Sequence, residues 1–294
     1  MGRNKRSKKL SILLIGLIAV MAMIFGGCGG TDKQESKQPA AESHNGAKPA
    51  CCSGEIKEIK IGATAGPHAE VVEAVAKEAA NHGLLVKVIE FSDYITPDKA
   101  LADGEIDLNS YQHEPFLKNF AAQNNAELSP IGTTILMRMG IYSDKIKNVN
   151  DIPEGAKIAI PNDPTNGGRA LMLLAKAGVI ELPENNFKVT VQDIKSNPKK
   201  LQFVELEAAQ LPRSLGDVDA AVITMNYVMS GGLDVEKQGI FLEDKTEPLA
   251  VMVLAARTKD KDKPEYKKIA EIFRSEAVRN FIAEKYKGTI VPAE

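Results

Sequence analysis

The chain has little cysteine. Three residues in 294 are Cys, at positions 28, 51 and 52, and none follows. A folded region without cysteine is neither stapled by disulfides nor run as a thiol enzyme. The adjacent Cys51 and Cys52 form at best a strained disulfide, and two thiols without other ligands do not make a metal site. Histidine is nearly as scarce. His44 falls in a polar stretch, which leaves His68, His82 and His113. A metal centre would rest on pairs such as His113-Glu114 or His68 with Glu70. No basic run interleaved with aromatics is present, and the formal net charge is −2, so nucleic acid is not an expected partner. Also missing are a Gly-x-Ser-x-Gly elbow, a phosphate-cradling loop with its Lys, and a His-Glu-x-x-His pair, which removes the motif-based case for an enzyme. The longest apolar run, from Leu10 to Phe25, is broken by glycine and shorter than the roughly 18–20 residues of a membrane span.

That run follows Arg3, Lys5, Arg6, Lys8 and Lys9 and ends in Gly26-Gly27-Cys28. A basic start, an apolar middle and a small-residue exit predict a signal peptide over 1–27. Two small residues before a Cys are similar to a bacterial lipobox, with Cys28 lipidated and the protein held on the extracytoplasmic face of the cell membrane. Phe25 stands where such motifs prefer Leu. Loss of the five basic residues would take the formal charge from −2 to −7. Residues 28–54 are rich in Lys, Gln, Glu, Ser, Ala, Gly and Pro, and read as a solvated tether.

From Glu55 onward strand-like and helix-like runs alternate, which predicts an α/β fold with largely parallel sheets. The order of signals then repeats. Strand 59–63, turn 64–68 and a helix to His82 are matched by strand 157–160, turn 162–169 and a helix ending at Gly178. Gly104-Glu105-Ile106-Asp107 and Gly216-Asp217-Val218-Asp219 hold the same place in each half. Two similar lobes are expected: 55–142 with 247–294, and 143–246. Short apolar segments at 139–142 and 249–255 are the expected crossings between them, and 264–286 reads as one helix packed back on the first lobe.

In open α/β sheets, ligands sit beyond the carboxyl ends of strands, at helix N-termini. Four polar segments occupy such edges: 64–70, 109–116, 162–169 and 224–227. Facing lobes would bring them to one cleft that closes by hinge motion. At 162–169, backbone N–H groups at a helix start, the helix dipole and Arg169 would favour an anion, most simply a carboxylate.

These residues resemble the NlpA family of methionine-binding lipoproteins. The resemblance rests on Gly66-Pro67-His68-Ala69-Glu70, Asp93-Tyr94, residues 100–107, Tyr111-Gln112-His113-Glu114-Pro115-Phe116, residues 162–166 with Gly168-Arg169, and residues 207–213. It implies a type II periplasmic-binding-protein fold, an amino-acid ligand (most often L-methionine), and docking on an ABC permease driven by a separate ATPase subunit. No cofactor is implied. An amino acid needs a carboxylate site, an ammonium site and a side-chain slot. Arg169 and Asn166 suit the first, and Asn226 and Asn109 are expected acceptors for the second. Tyr111, His113, Phe116 and Tyr94 would wall the third, where a thioether gains from sulfur–aromatic contact. His68 would point into the cleft.

Two departures bear on the ligand. Thr224 stands where many members of the family carry Asn, and Met137-Arg138 replaces an acidic-Pro pair. A methionine-containing dipeptide or another amino acid is therefore an alternative ligand, ahead of a metal ion or an adhesive surface role.

Overall fold

The computed structural model describes residues 58–184 and 186–293; the expected signal peptide, Cys28 and the tether lie outside them. The chain runs β1 (Glu58–Thr64), α1 (Pro67–Asn81), β2 (Leu85–Phe91), α2 (Thr96–Asp103), β3 (Leu108–His113), α3 (Glu114–Asn124), β4 (Leu128–Leu136) and β5 (Met139–Tyr142). It continues with β6 (Lys157–Pro161), α4 (Pro164–Lys176), β7 (Gln202–Leu206), α5 (Leu211–Ser214), β8 (Ala220–Thr224), α6 (Met225–Ser230), α7 (Val235–Gln238) and β9 (Gly239–Leu242). It closes with β10 (Val251–Arg257), α8 (Pro264–Phe273), α9 (Glu276–Tyr286) and β11 (Val291–Pro292).

Two sheets form, ordered β11-β4-β10-β3-β1-β2 and β7-β6-β8-β5-β9. Each has a parallel trio, β2-β1-β3 or β7-β6-β8, flanked by an antiparallel strand from the opposite half of the chain, β10 or β5. The two-lobed α/β expectation is met, and the repeat extends to single hydrogen bonds. The Lys60 N–H donates to Asp107 at 3.0 Å, and the Lys157 N–H donates to Asp219 at 2.8 Å. The last Asp of each repeated motif thus pins the trio's central strand. Strands covered on both sides read as continuous apolar runs, as every residue of β8 is buried.

The crossings differ in detail from the sequence reading. Segment 139–142 is β5, paired to β8 and β9 within the second sheet. Segment 251–257 is β10, paired to β3 and β4 within the first. The links are the residues ahead of each strand: Met137 and Arg138, then 243–250. The single helix expected over 264–286 is two. Ser275 accepts a hydrogen bond from the Val278 N–H and starts α9 afresh. This resets the phase, so Val278 is buried and Ala277 is exposed.

Helix α4 is set close against a neighbouring loop. A Cβ on Gly168 would lie 1.9 Å from the Phe187 carbonyl oxygen and 2.4 Å from its carbon. Backbone does not yield as a side-chain tip does. Gly168→Ala is therefore expected to destabilise by about 2 kcal/mol or more, read as a lowered denaturant midpoint at unchanged slope. An unchanged midpoint would mean that this approach is looser than drawn.

Candidate functional site

One cavity of about 330 Å³ gathers nine of the ten expected ligand-facing residues: His68, Tyr94, Tyr111, His113, Phe116, Asn166, Arg169, Thr224 and Asn226. They come from strand ends and helix starts of both sheets, as the topology of open α/β sheets requires. Gln112, Met137 and Met252 complete the lining. Sequence alternation would turn Gln112 away from its neighbours Tyr111 and His113, and Met252 lies in an apolar strand with nothing to mark it. Tyr94, Tyr111 and Phe116 form the aromatic wall, with ring centroids 5.9–6.3 Å apart.

Asn109 is the residue not brought to the cavity. Its carboxamide nitrogen donates to the Asp98 carboxylate at 2.8 Å and to the Pro97 carbonyl at 3.4 Å, behind the wall. Asn226 does reach the cavity, but with the opposite polarity to that expected. Its Oδ1 accepts the Tyr94 hydroxyl proton at 2.5 Å. Because that proton is committed, the Thr224 hydroxyl donates to the Tyr94 oxygen at 2.8 Å. Asn226 Nδ2 is buried without a partner among the described residues. It offers a donor, which suits a carboxylate and not an ammonium.

The turn at 162–169 also differs from the expected anion cradle. Asp163 caps α4, accepting from the Asn166 N–H at 2.9 Å, from its carboxamide at 3.0 Å and from the Thr165 hydroxyl at 3.0 Å. The chain thus supplies its own anion to the helix dipole. Arg169 is only 2 % exposed and bridges both crossings. Its Nε and Nη2 meet Glu243 Oε1 and Oε2 at 2.7 and 2.5 Å, and Nη2 also reaches the Met137 carbonyl at 3.2 Å. Glu243 in turn accepts the Met139 N–H at 2.6 Å. Arg169 lines the cavity with its charge already balanced, and Nη1 takes part in none of these bonds.

Both histidines of the cavity are held neutral. Burial lowers His68 and His113 to a pKa of about 3, with Arg169 adding to the effect at His113. Nδ1 of His113 accepts the Phe116 N–H at 3.1 Å and so caps α3. The proton therefore sits on Nε2, which donates to Asn166 Oδ1 at 3.2 Å. His113 and Asn166 thus join the two sheets' helix starts and leave little for a ligand. His68 differs, since neither of its ring nitrogens has a partner among the described residues. An apolar wall, a balanced guanidinium, one amide donor and a neutral imidazole suit a small polar-headed molecule with an apolar tail. No group of three metal-binding side chains occurs among the described residues.

Known proteins resemble the chain over nearly all of its described residues. A family model described as NlpA lipoprotein matches residues 59–294. The chain is 41% identical over 235 residues to a protein of Vibrio cholerae named probable D-methionine-binding lipoprotein MetQ, covering 79% of this chain and 87% of that one. The Escherichia coli K12 protein named D-methionine-binding lipoprotein MetQ is 39% identical over 237 residues, covering 79% and 87%. Among solved structures, a nutrient binding protein from Burkholderia cenocepacia bound to methionine is 46% identical with a TM-score of 0.77, covering 80% of this chain and all of that one. The fold is the two-lobed periplasmic-binding-protein arrangement, and the chain belongs to the NlpA lipoprotein family.

Proposed function

We propose that this protein captures methionine, or a close relative of it, and delivers it to an ABC importer made of a membrane permease and an ATPase subunit. The observation that carries the reading is the cavity itself. Asn226 Nδ2, His68 and Arg169 provide for a carboxylate, while Tyr94, Tyr111, Phe116, Met137 and Met252 provide an apolar, sulfur-rich slot. A signal peptide over 1–27 and a lipid on Cys28 would hold the receptor on the extracytoplasmic face of the membrane. The tether 28–54 would let it reach its permease. The role is binding and release, with no chemical step.

Ligand-dependent stabilisation tests this directly. A ligand bound only by the native state adds about 2.7 kcal/mol at a hundredfold excess over its Kd. L-Methionine and D-methionine are run separately, because the named relatives carry the D-isomer in their names while the family resemblance implies the L-isomer. A clear rise in melting temperature with either isomer is the expected result. A rise with zinc alone, or with no amino acid or short peptide, would overturn the reading. Mass spectrometry of the ligand that copurifies then identifies the side chain.

A further inference from the structure

Strand β3 carries one residue more than its neighbour. Gln112 lies opposite Val253 and Ser110 opposite Leu254, which leaves Tyr111 as the extra residue of a bulge. A bulge re-aims side chains. Asn109 and Gln112, three apart and on opposite faces of a regular strand, are brought together, and Gln112 Nε2 donates to Asn109 Oδ1 at 3.2 Å. Both amides converge on Asp98 in the first turn of α2. Gln112 Nε2 reaches Asp98 Oδ1 at 2.5 Å, and Asn109 Nδ2 reaches the same oxygen at 2.8 Å.

Asp98 is completely buried, and the groups acting on it are Asn109, Gln112 and the Tyr111 phenol, all neutral. A carboxylate only accepts hydrogen bonds. It therefore dictates the orientation of the Gln112 amide, with nitrogen toward Asp98 and Asn109 and oxygen away. That oxygen is buried, has no partner among the described residues, and belongs to a residue lining the cavity. The other unpartnered groups of the lining are a donor, Asn226 Nδ2, and the neutral His68 ring. Gln112 Oε1 is the one that can act only as an acceptor, and it is backed by a buried negative charge. An ammonium group calls for that combination.

We propose that Gln112 Oε1 receives the ammonium of the ligand, and that Asp98, acting through this amide, is the positioning residue that makes the cavity select α-amino acids over their des-amino analogues. The inference rests on the amino-acid reading above and names the part of the site that reading leaves open.

The test compares methionine with 4-(methylsulfanyl)butanoate, which keeps the carboxylate and thioether and lacks the ammonium, by titration calorimetry on the full-length protein. Wild type is expected to prefer methionine. Asp98→Asn removes the charge and lets the Gln112 amide turn over. It is expected to weaken methionine binding about tenfold to a hundredfold, the range of a charge-assisted hydrogen bond, with less than about a twofold change for the analogue. Adding Gln112→Glu to Asp98→Asn puts a carboxylate at the cavity wall and is expected to restore most of the lost affinity. Equal weakening of both ligands means that Asp98 only supports the fold and overturns the proposal. So does unchanged methionine affinity in Asp98→Asn, or a double variant without rescue. Wild type that binds neither compound overturns the amino-acid reading itself.

Discussion

Glu243→Ala is expected to lower the stability of the ligand-free protein by about 3–5 kcal/mol, the usual consequence of leaving one member of a buried ion pair alone. The variant strands the Arg169 guanidinium, which is 2 % exposed, and removes the acceptor of the Met139 N–H at the start of β5. Arg169→Ala is the mirror case and should lose a similar amount, so loss of binding in that variant alone does not report on ligand contact. The informative variant is Arg169→Met with Glu243→Met. Replacing both charges by apolar side chains of comparable length commonly recovers most of the stability. If that double variant unfolds near the wild-type midpoint yet no longer binds methionine, Arg169 contacts the ligand. If it binds normally, Asn226 and His68 hold the carboxylate without it. A single variant that loses less than about 1 kcal/mol in chemical denaturation would show that the bridge across the two crossings is looser than drawn.

Mild acid is expected to destabilise the ligand-free protein through its two buried histidines. Each is held to a pKa of about 3 when folded, against 6.5 for an imidazole free in water. The unfolded chain therefore takes up protons that the folded chain refuses. The stability is fully present above pH 6.5 and is lost as pH falls through the window toward 3. At about 1.4 kcal/mol per pH unit for each group, the two together lose about 4 kcal/mol by pH 5. Asp98 works the other way. Burial raises its pKa from 3.8 to about 6, so the protonated form is favoured in the fold, and acid relieves a buried charge as pH falls from 6. That returns about 1.4 kcal/mol at pH 5, and the net loss relative to pH 7.5 is about 2–3 kcal/mol. Urea unfolding at the two pH values measures it. His68→Gln should remove roughly half of the histidine contribution, and a stability that stays flat from pH 7.5 to 5 would contradict the burial of both rings.

Much of this architecture was legible from local patterns. Alternating strand and helix signals predicted the α/β class, and the repeated motif ending in Asp107 and Asp219 marked equivalent strands in two lobes. The polar segments at helix starts led to eight of the cavity's residues because strand ends place them there regardless of detail, and the family resemblance added Tyr94. What stayed hidden was pairing at long range. Glu243 is 74 residues from Arg169, and nothing in its neighbourhood marks it as the partner of a buried guanidinium. The direction of an amide is equally invisible, since Asn226 becomes a donor only because Tyr94, 132 residues away, occupies its oxygen. One signal was available and points to the correction at the turn. Asp163 before Pro164 is an ordinary helix-start pair, an N-cap followed by a residue without an N–H, and it implies a helix end already supplied with its anion.

The extra residue in β3 has a consequence for how such a receptor changes its diet. Deleting one codon at Tyr111 would remove the bulge without shifting the register: Ser110 and Gln112 would still face Leu254 and Val253, and Asn109 and Gln112, now two apart, would still share a face. The Asp98 relay would keep its end, while the slot would lose the Tyr111 ring from its aromatic wall. A lineage can therefore reshape the slot for the solute's tail by a change in length while the polar end of the site stays in register.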